Sequence, residues 1–420
     1  MFTDLTHALN LDAHDPLARF RDEFVIDDPQ MIYLDGNSLG RMPRRAAERL
    51  RQVLDREWGR RLIRGWGEGW FNAPQRIGGK IAQLIGAQAG EVIVADSTSV
   101  NLFKLIMAAL AARPGRHTVV TEENNFPTDL YVLQGALKLA GAAYRLERLP
   151  SADGLTIPTA DVLAALNSDT ALVTLTHTAF KSGYVHDMAT ITEAAHRAGA
   201  LALWDLCHSA GALPVDLNAC NVDLAVGCTY KYLNGGPGAP AFIYVRRDLQ
   251  EGLLSPIWGW FGQKGQFDMK ADYEPGPGLR RFLAGTPTLL SLAAVEPGVE
   301  LLLEAGMDRL RAKSVAQTEY LIALWEAWLQ PLGVSLNSPR DSKSRGSHVS
   351  LGHPEGLRID RALIEEMNVI PDFRYPDNIR LGIAPIYTSF ADIFEAMSRL
   401  RRVIEERLYE KYPSERPEVT

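Results

Sequence analysis

The sequence predicts an α/β protein: a large domain built on a mainly parallel sheet flanked by helices, followed by a smaller α+β domain. Three observations carry that expectation. Short apolar runs recur between residues 91 and 245, most of them separated by stretches of helical periodicity. Several of these runs end in polar or glycine-rich residues, as strands do where ligands gather at a sheet edge. At 420 residues the chain is long for one core, and 46% hydrophobic with 23% charged residues is the composition of a globular protein.

Taken in order, residues 1 to about 30 read as a helical arm with apolar positions at Leu17, Phe20 and Phe24, packed on the body or on a second subunit. Tyr33-Leu34-Asp35-Gly36-Asn37-Ser38-Leu39-Gly40 is rich in turn formers and reads as a loop. A helix from 43 to about 58 precedes Trp66-Gly67-Glu68-Gly69-Trp70-Phe71, whose rings suit a core as readily as a ligand. The run 91–95 leads into Asp96-Ser97-Thr98-Ser99-Val100-Asn101, where a helix starts. There the hydroxyls of Thr98 and Ser99 can hold a phosphate among unpartnered amides, or act as an ordinary cap.

Strand 117–121 ends ahead of Phe126-Pro127-Thr128-Asp129, where the proline stiffens the turn and the ring can stack on a flat group or pack under its neighbours. A strand at 142–149 and a helix at 159–166 follow, and strand 171–177 then brings Thr176 and His177 to its carboxyl end. Helix 191–198 returns the chain to strand 201–204, which delivers Asp205 and then His208. The run 224–227 leads to Lys231 and the turn Asn234-Gly235-Gly236-Pro237-Gly238, and 241–245 is a further strand. A glycine-rich stretch holds Trp258-Gly259-Trp260-Phe261-Gly262 and leads to Thr286. From 291, helices across Pro297-Gly298 and over 307–329 open the smaller domain, which runs on through 349–351, 363–368 and 379–387. The expected division is an arm and loop at 1–45, a large domain at 46–290 and a small one at 291–420, with a mobile Pro/Glu-rich tail from Tyr412.

Two residues carry the chemistry. An amine at the mouth of a parallel sheet can be desolvated and made nucleophilic toward carbonyl carbon, although Lys231 could also be a surface lysine beside a turn. Asp205 precedes it by 26 positions (231 minus 205) and could be a helix N-cap. Together the pair suits pyridoxal phosphate: the lysine forms the Schiff base, and the aspartate keeps the pyridinium nitrogen protonated so that the ring accepts electrons.

Asp205-Leu206-Cys207-His208-Ser209-Ala210-Gly211 with Thr229-Tyr230-Lys231-Tyr232-Leu233-Asn234-Gly235-Gly236 resembles the kynureninase family, within the fold-type-I aminotransferase superfamily. Further matches run from Leu34 to Arg380, and the combination with Phe126-Pro127-Thr128-Asp129 and Gly259-Trp260-Phe261-Gly262 is narrower than the superfamily. The resemblance implies a seven-stranded sheet with 241–245 antiparallel, pyridoxal 5'-phosphate as cofactor, and hydrolysis of L-kynurenine to anthranilate and L-alanine. It implies Lys231, Tyr230 and Asp205 as catalytic residues. The cofactor site would hold Thr98, Ser99, Phe126, Asp129, Thr176 and His208 as well, joined by Trp260 and Thr286 reaching from a neighbouring subunit of a homodimer. Ser38, Trp66 and Arg380 would meet the substrate, Trp70 remaining an alternative to Trp66. Thr286 tilts the preference toward kynurenine over its 3-hydroxylated form. Arg380, inside an apolar run, needs a carboxylate for its fork, either the substrate's or one within the domain.

A net charge of -7 and only short arginine pairs argue against a nucleic-acid surface. Three cysteines without a C-x-x-C spacing suggest free thiols and a cytoplasmic setting, and no metal site is expected. The amino terminus lacks an apolar signal core, and no apolar run approaches the roughly 20 residues of a membrane span. A transaminase on the same scaffold, or a scaffold protein without catalysis, are the rival readings. A cysteine desulfurase is disfavoured because every cysteine precedes Lys231.

Overall fold

Alternation of buried strands with amphipathic helices produces the order α1 (Leu5–Ala13), β1 (Ile32–Tyr33), α2 (Arg44–Gln52), α3 (Ala73–Leu84), β2 (Val92–Val94), α4 (Thr98–Ala111), β3 (Thr118–Glu122), α5 (Pro127–Ala140), β4 (Arg145–Leu149), α6 (Thr159–Ala165), β5 (Thr170–Thr176), α7 (Met188–Ala198), β6 (Leu201–Asp205), β7 (Leu224–Gly227) and β8 (Phe242–Val245). It continues through α8 (Leu289–Ala305), α9 (Met307–Leu324), β9 (Ser335–Leu336), β10 (His348–Gly352), α10 (Gly356–Met367), β11 (Val369–Ile370), β12 (Asp372–Arg374), β13 (Asn378–Gly382) and α11 (Phe390–Glu405). The structure is a computed structural model that describes residues 3–415.

Seven strands form one sheet in the order β2-β8-β7-β6-β5-β3-β4. β8 runs antiparallel to both of its neighbours, and the remaining pairs are parallel. Strands β5 to β8 are buried along their whole length, as a sheet covered on both faces requires. The period of two sorts their side chains: Ala202 and Trp204 of β6 join the core beneath α3, α7 and α8, while Leu201 and Leu203 join the core beneath α4 and α5.

A second, antiparallel sheet, β12-β13-β10-β9, packs with α9, α10 and α11 around Leu321, Leu351, Leu381 and Met397. The amino-terminal segment joins both cores. Leu17, Phe20 and Phe24 enter the first, whereas Ala8, Ile32 and Leu34 enter the second, where β1 pairs in parallel with β11. Buried Lys313 meets Asp15 at 2.6 Å, and Asp12 accepts hydrogen bonds from the first amides of α11, Phe390 at 2.7 Å and Ala391 at 2.9 Å. These contacts deliver the loop bearing Asp35 and Ser38 to a fixed place.

The tail differs from expectation. Arg358 donates to the Tyr412 carbonyl at 2.7 Å and Arg361 to that of Glu415 at 2.6 Å, so residues 412–415 are tied down by guanidinium groups; residues 416–420 lie outside the described part. No described helix is long and apolar enough to cross a membrane.

Gly227 ends β7 against the ring of Phe242, where an added Cβ would overlap the ring. Gly227→Ala is expected to lower the unfolding free energy by about 1–3 kcal/mol through overpacking, read as a shift in urea midpoint at constant slope.

Candidate active site

Strand register brings the polar residues together. Thr176 lies opposite Asp205 across β5 and β6, and Asp205 lies opposite Val226 across β6 and β7, so the three strands end at one edge. Lys231 follows four residues after β7. Thr98, in the first turn of α4, has its hydroxyl 3.9 Å from the Cys207 sulfur, two residues past Asp205. Before that helix Asp96 takes a positive φ of 44° and pairs with fully buried Lys104, which also donates to the Phe282 carbonyl at 2.7 Å.

Lys231 is buried. Its Nζ stands 3.3 Å from His208 Nε2, 5.7 Å from the centre of the exposed Phe126 ring and 5.9 Å from that of Tyr230. Burial, and then the Lys231 charge, hold the His208 imidazole well below its ordinary range, so it is neutral and accepts from the ammonium. Burial raises the Tyr230 phenol. Asp205 Oδ1 accepts from the Cys207 amide at 2.6 Å, and Thr176 donates to the Thr178 carbonyl at 3.2 Å.

Asp129 lies wholly buried against Asp205. Burial first, then the neighbouring carboxylate, push its carboxyl well above the ordinary range. As an ion its Oδ2 would have no hydrogen-bond donor. This pair suits a ligand that presents a cationic N–H to Asp205, and the start of α4, with Thr98 and Ser99 in its first turn, suits an anionic group. An aldehyde-bearing pyridinium phosphate has both features, so the residues present fit pyridoxal phosphate.

The second end of the site is built on the smaller sheet. Arg380 is buried, and its carboxylate partner in the folded chain is a side chain: Asp372, opposite it in the β12–β13 ladder, takes Nη2 and, at 2.8 Å, Nε. The domain's own salt bridge, the alternative open from the sequence, is therefore present. Arg380 Nη1 donates to the Phe180 carbonyl at 2.6 Å and Nη2 to Ser38 Oγ at 2.8 Å. Ser38 in turn donates to Asp372 Oδ2 at 2.8 Å and receives Arg374 Nη2 at 3.4 Å. A carboxylate arriving here would meet the Ser38 hydroxyl beside the Arg380 and Arg374 guanidinium groups.

His348 links the two ends. Its ring centre is 5.7 Å from that of His208, and both ring nitrogens are buried without a hydrogen-bond partner. Burial and then Arg380 push it down to about 3. His348, Asp372, Arg374 and Asp35 were not among the expected site residues. The turn Tyr375-Pro376-Asp377 between two short strands was the available signal for Asp372, since a tight hairpin there sets it opposite Arg380.

The remaining expected residues lie among aromatic and loop neighbours. Trp66 packs edge-on against Trp70 and tilted against Phe261, Trp260 packs edge-on against Phe261, and exposed Thr286 lines a small cleft with Ala95, Asp96 and Leu283. A wider apolar cleft of about 570 Å³, between Tyr33, Met42, Leu50 and Pro237, contains neither Lys231 nor Arg380. No group of His, Cys, Asp or Glu among the described residues could hold a metal ion.

A family model described as the kynureninase C-terminal domain matches residues 310–400. The chain is similar to the kynureninase of Burkholderia pseudomallei (strain 1106a), at 44% identity over 403 residues and 95% of each chain. Its similarity to the kynureninase of Pseudomonas fluorescens is 44% over 412 residues and 97% of each. Solved structures of similar fold include cysteine desulfurases from Thermococcus onnurineus NA1, with TM-score 0.77, 18% identity and coverage of 95% of this chain and 98% of that one, and from Escherichia coli, with TM-score 0.78, 16% identity and coverage of 93% and 98%. At such identity they speak to the fold alone.

Because the folded Asp129 keeps a proton that the unfolded chain releases near the ordinary value of 3.8, the unfolding free energy contributed there falls as pH rises through the window above that value. Urea titrations of cofactor-free protein from about pH 5 to about pH 8 should therefore show a shallower loss of stability in Asp129→Asn than in the wild type. Equal slopes would mean that Asp129 is ionised in the native state.

Proposed function

Because the chain belongs to the kynureninase family, we propose that it hydrolyses L-kynurenine to anthranilate and L-alanine, with pyridoxal 5'-phosphate as cofactor, in tryptophan catabolism. The observation that carries this reading is the 44% identity to kynureninase across 95% of the chain, a span that runs through both ends of the site. Water adds to the γ-carbonyl, the Cβ–Cγ bond breaks, anthranilate leaves with the new carboxyl group, and the remaining three carbons become alanine.

When bound, the cofactor supplies an aldehyde that condenses with an amine and a protonated ring that accepts electrons from the substrate's carbons. Lys231 Nζ is the amine that would hold that aldehyde, and it is placed to take the proton from the substrate's α-carbon. Asp205 would pair with the ring nitrogen and keep it protonated, with Asp129 as its buried neighbour. Thr98 and Ser99 hold the phosphate, together with the amides of the first turn of α4. Phe126 would stack on the ring, Thr176 and His208 would contribute to its polar surround, and Tyr230 would serve the phosphate and proton transfer.

Arg380 and Ser38 hold the substrate's α-carboxylate. Fixing that group fixes the torsion about the α-carbon, and with it the direction of the bond to be cleaved. Trp66 meets the substrate ring, and Trp260 and Thr286 serve the site of a second copy in a homodimer. The same reading extends to a cytoplasmic enzyme whose product feeds NAD biosynthesis.

Lys231→Ala should abolish both the visible absorbance of the cofactor-loaded protein and the release of fluorescent anthranilate; retention of both would overturn its role. Arg380→Ala is expected to cost about 2–4 kcal/mol of transition-state binding, roughly 30- to 700-fold in kcat/KM, because the partner charge is left without its fork. A loss of less than about threefold would place the carboxylate elsewhere.

A further inference from the structure

A cationic cleft on the seam between the two cores lies outside the chemistry above. It measures about 390 Å³ and contains neither Lys231 nor Arg380. A volume of this size is ordinary for a small-molecule site. The large domain supplies His177, just past the carboxyl end of β5, with Val185, Leu213 and Pro214. The small domain supplies Arg311 and Val315 of α9, with Ser342 and Lys343. Beside the cleft the seam is tied by the Val185 amide, which donates to the Ser344 carbonyl at 2.9 Å.

The positive charge of this cleft is unbalanced. No acidic residue lines it. Arg311 is half-buried and its guanidinium is fixed by backbone oxygens: Nη2 donates to the Ser342 carbonyl at 2.6 Å and to that of Arg345 at 2.8 Å, and Nη1 to that of Gly346 at 3.4 Å. Carbonyls orient a guanidinium without cancelling its charge, and these bonds leave part of its donor set unused. Lys343 is exposed, and neither cation forms an ion pair among the described residues. Asp341, the acid closest to Lys343 in sequence, accepts from the Lys343 backbone amide at 2.9 Å. Arg345, the charged group nearest in effect to Arg311, is itself paired with Glu319.

His177 adds a neutral hydrogen-bonding group. It is buried, and burial and then His186 pull its imidazole down to about 3. Its Nδ1 meets Ser209 Oγ at 2.8 Å, whereas Nε2 has no hydrogen-bond partner and, unlike the nitrogens of His348, is not sealed from solvent. When Ser209 donates to Nδ1, the ring proton sits on Nε2 and is free to meet a ligand oxygen. The other walls, Val185, Leu213, Pro214 and Val315, are apolar.

We propose that this cleft binds a small monocarboxylate with a compact apolar body: the carboxylate on Arg311 and Lys343, the body on the apolar walls, and His177 Nε2 at its side. Such a ligand joins groups from both cores. The inference stands apart from the reaction assigned above.

The test titrates three probes into the full-length, cofactor-loaded protein by calorimetry. Benzoate has the charge and the body, benzamide the body without the charge, and acetate the charge without the body. Benzoate should bind saturably, with benzamide and acetate at least about tenfold weaker. Lys343→Glu should remove that benzoate site or weaken it by about tenfold or more, and so should Arg311→Gln. Arg380→Ala should keep it, which separates it from the site that holds Lys231. A wild type without a saturable benzoate site overturns the proposal, as does benzamide binding as tightly as benzoate. A Lys343→Glu protein that keeps every benzoate site of the wild type overturns it too, and this arm changes only an exposed side chain, so it is readable even if Arg311→Gln does not fold. Absence of anthranilate release from kynurenine would count against the assigned reaction alone.

Discussion

Hydrogen-bond register among β5, β6 and β7 is the constraint on which the site depends. Side chains alternate between faces with period two, so a slip of one residue in β6 would turn Asp205 away and move Trp204 out of its core. That register is specified by burial on both faces: Trp204 on one side and Leu203 on the other would each lose their packing. The apolar interior thus sets the position of the polar edge, and the chemistry inherits its geometry from packing that never touches a ligand.

The polar edge is organised around two carboxyl pairs. Asp129 with Asp205 lies at the end where an electron-poor ring would sit, and Asp35 with Asp372 lies where a carboxylate would bind. In each pair desolvation and a close like charge push one carboxyl up, Asp129 in the first and Asp35 in the second, and in the second Arg380 faces the other member. Low-dielectric surroundings make such arrangements costly to mispair, which ties the protonation pattern to the fold.

Most of the large sheet was legible in the sequence, because its strands are continuous apolar runs ending in polar residues and its helices keep a 3.6-residue period. Asp205, Lys231 and His208 were legible for the same reason, as residues at the ends of such runs. Arg380 was found by its oddity in an apolar strand, yet its partner was not: Asp372 is eight residues away, and only the hairpin's register reveals that they face each other. His348 and Asp35 were invisible because their significance lies in what surrounds them, unpaired nitrogens in one case and a neighbouring carboxyl in the other. For residues 412–415, composition says nothing of the guanidinium groups that meet their carbonyls.

The pairing of β1 with β11 has a consequence for how the halves of this protein can shift. Leu34 donates its amide to the Ile370 carbonyl and accepts from the Gly382 amide, so Ser38 is fastened to the same sheet that carries Arg380, although over three hundred positions separate them in the chain. Two residues past Ser38, the Gly40 amide donates to the Tyr230 carbonyl at 2.8 Å, beside Lys231, so the same loop is stitched to both cores. A shift of one core against the other would have to break one of these seams, and the hydroxyl and the guanidinium stay preassembled for a bound molecule.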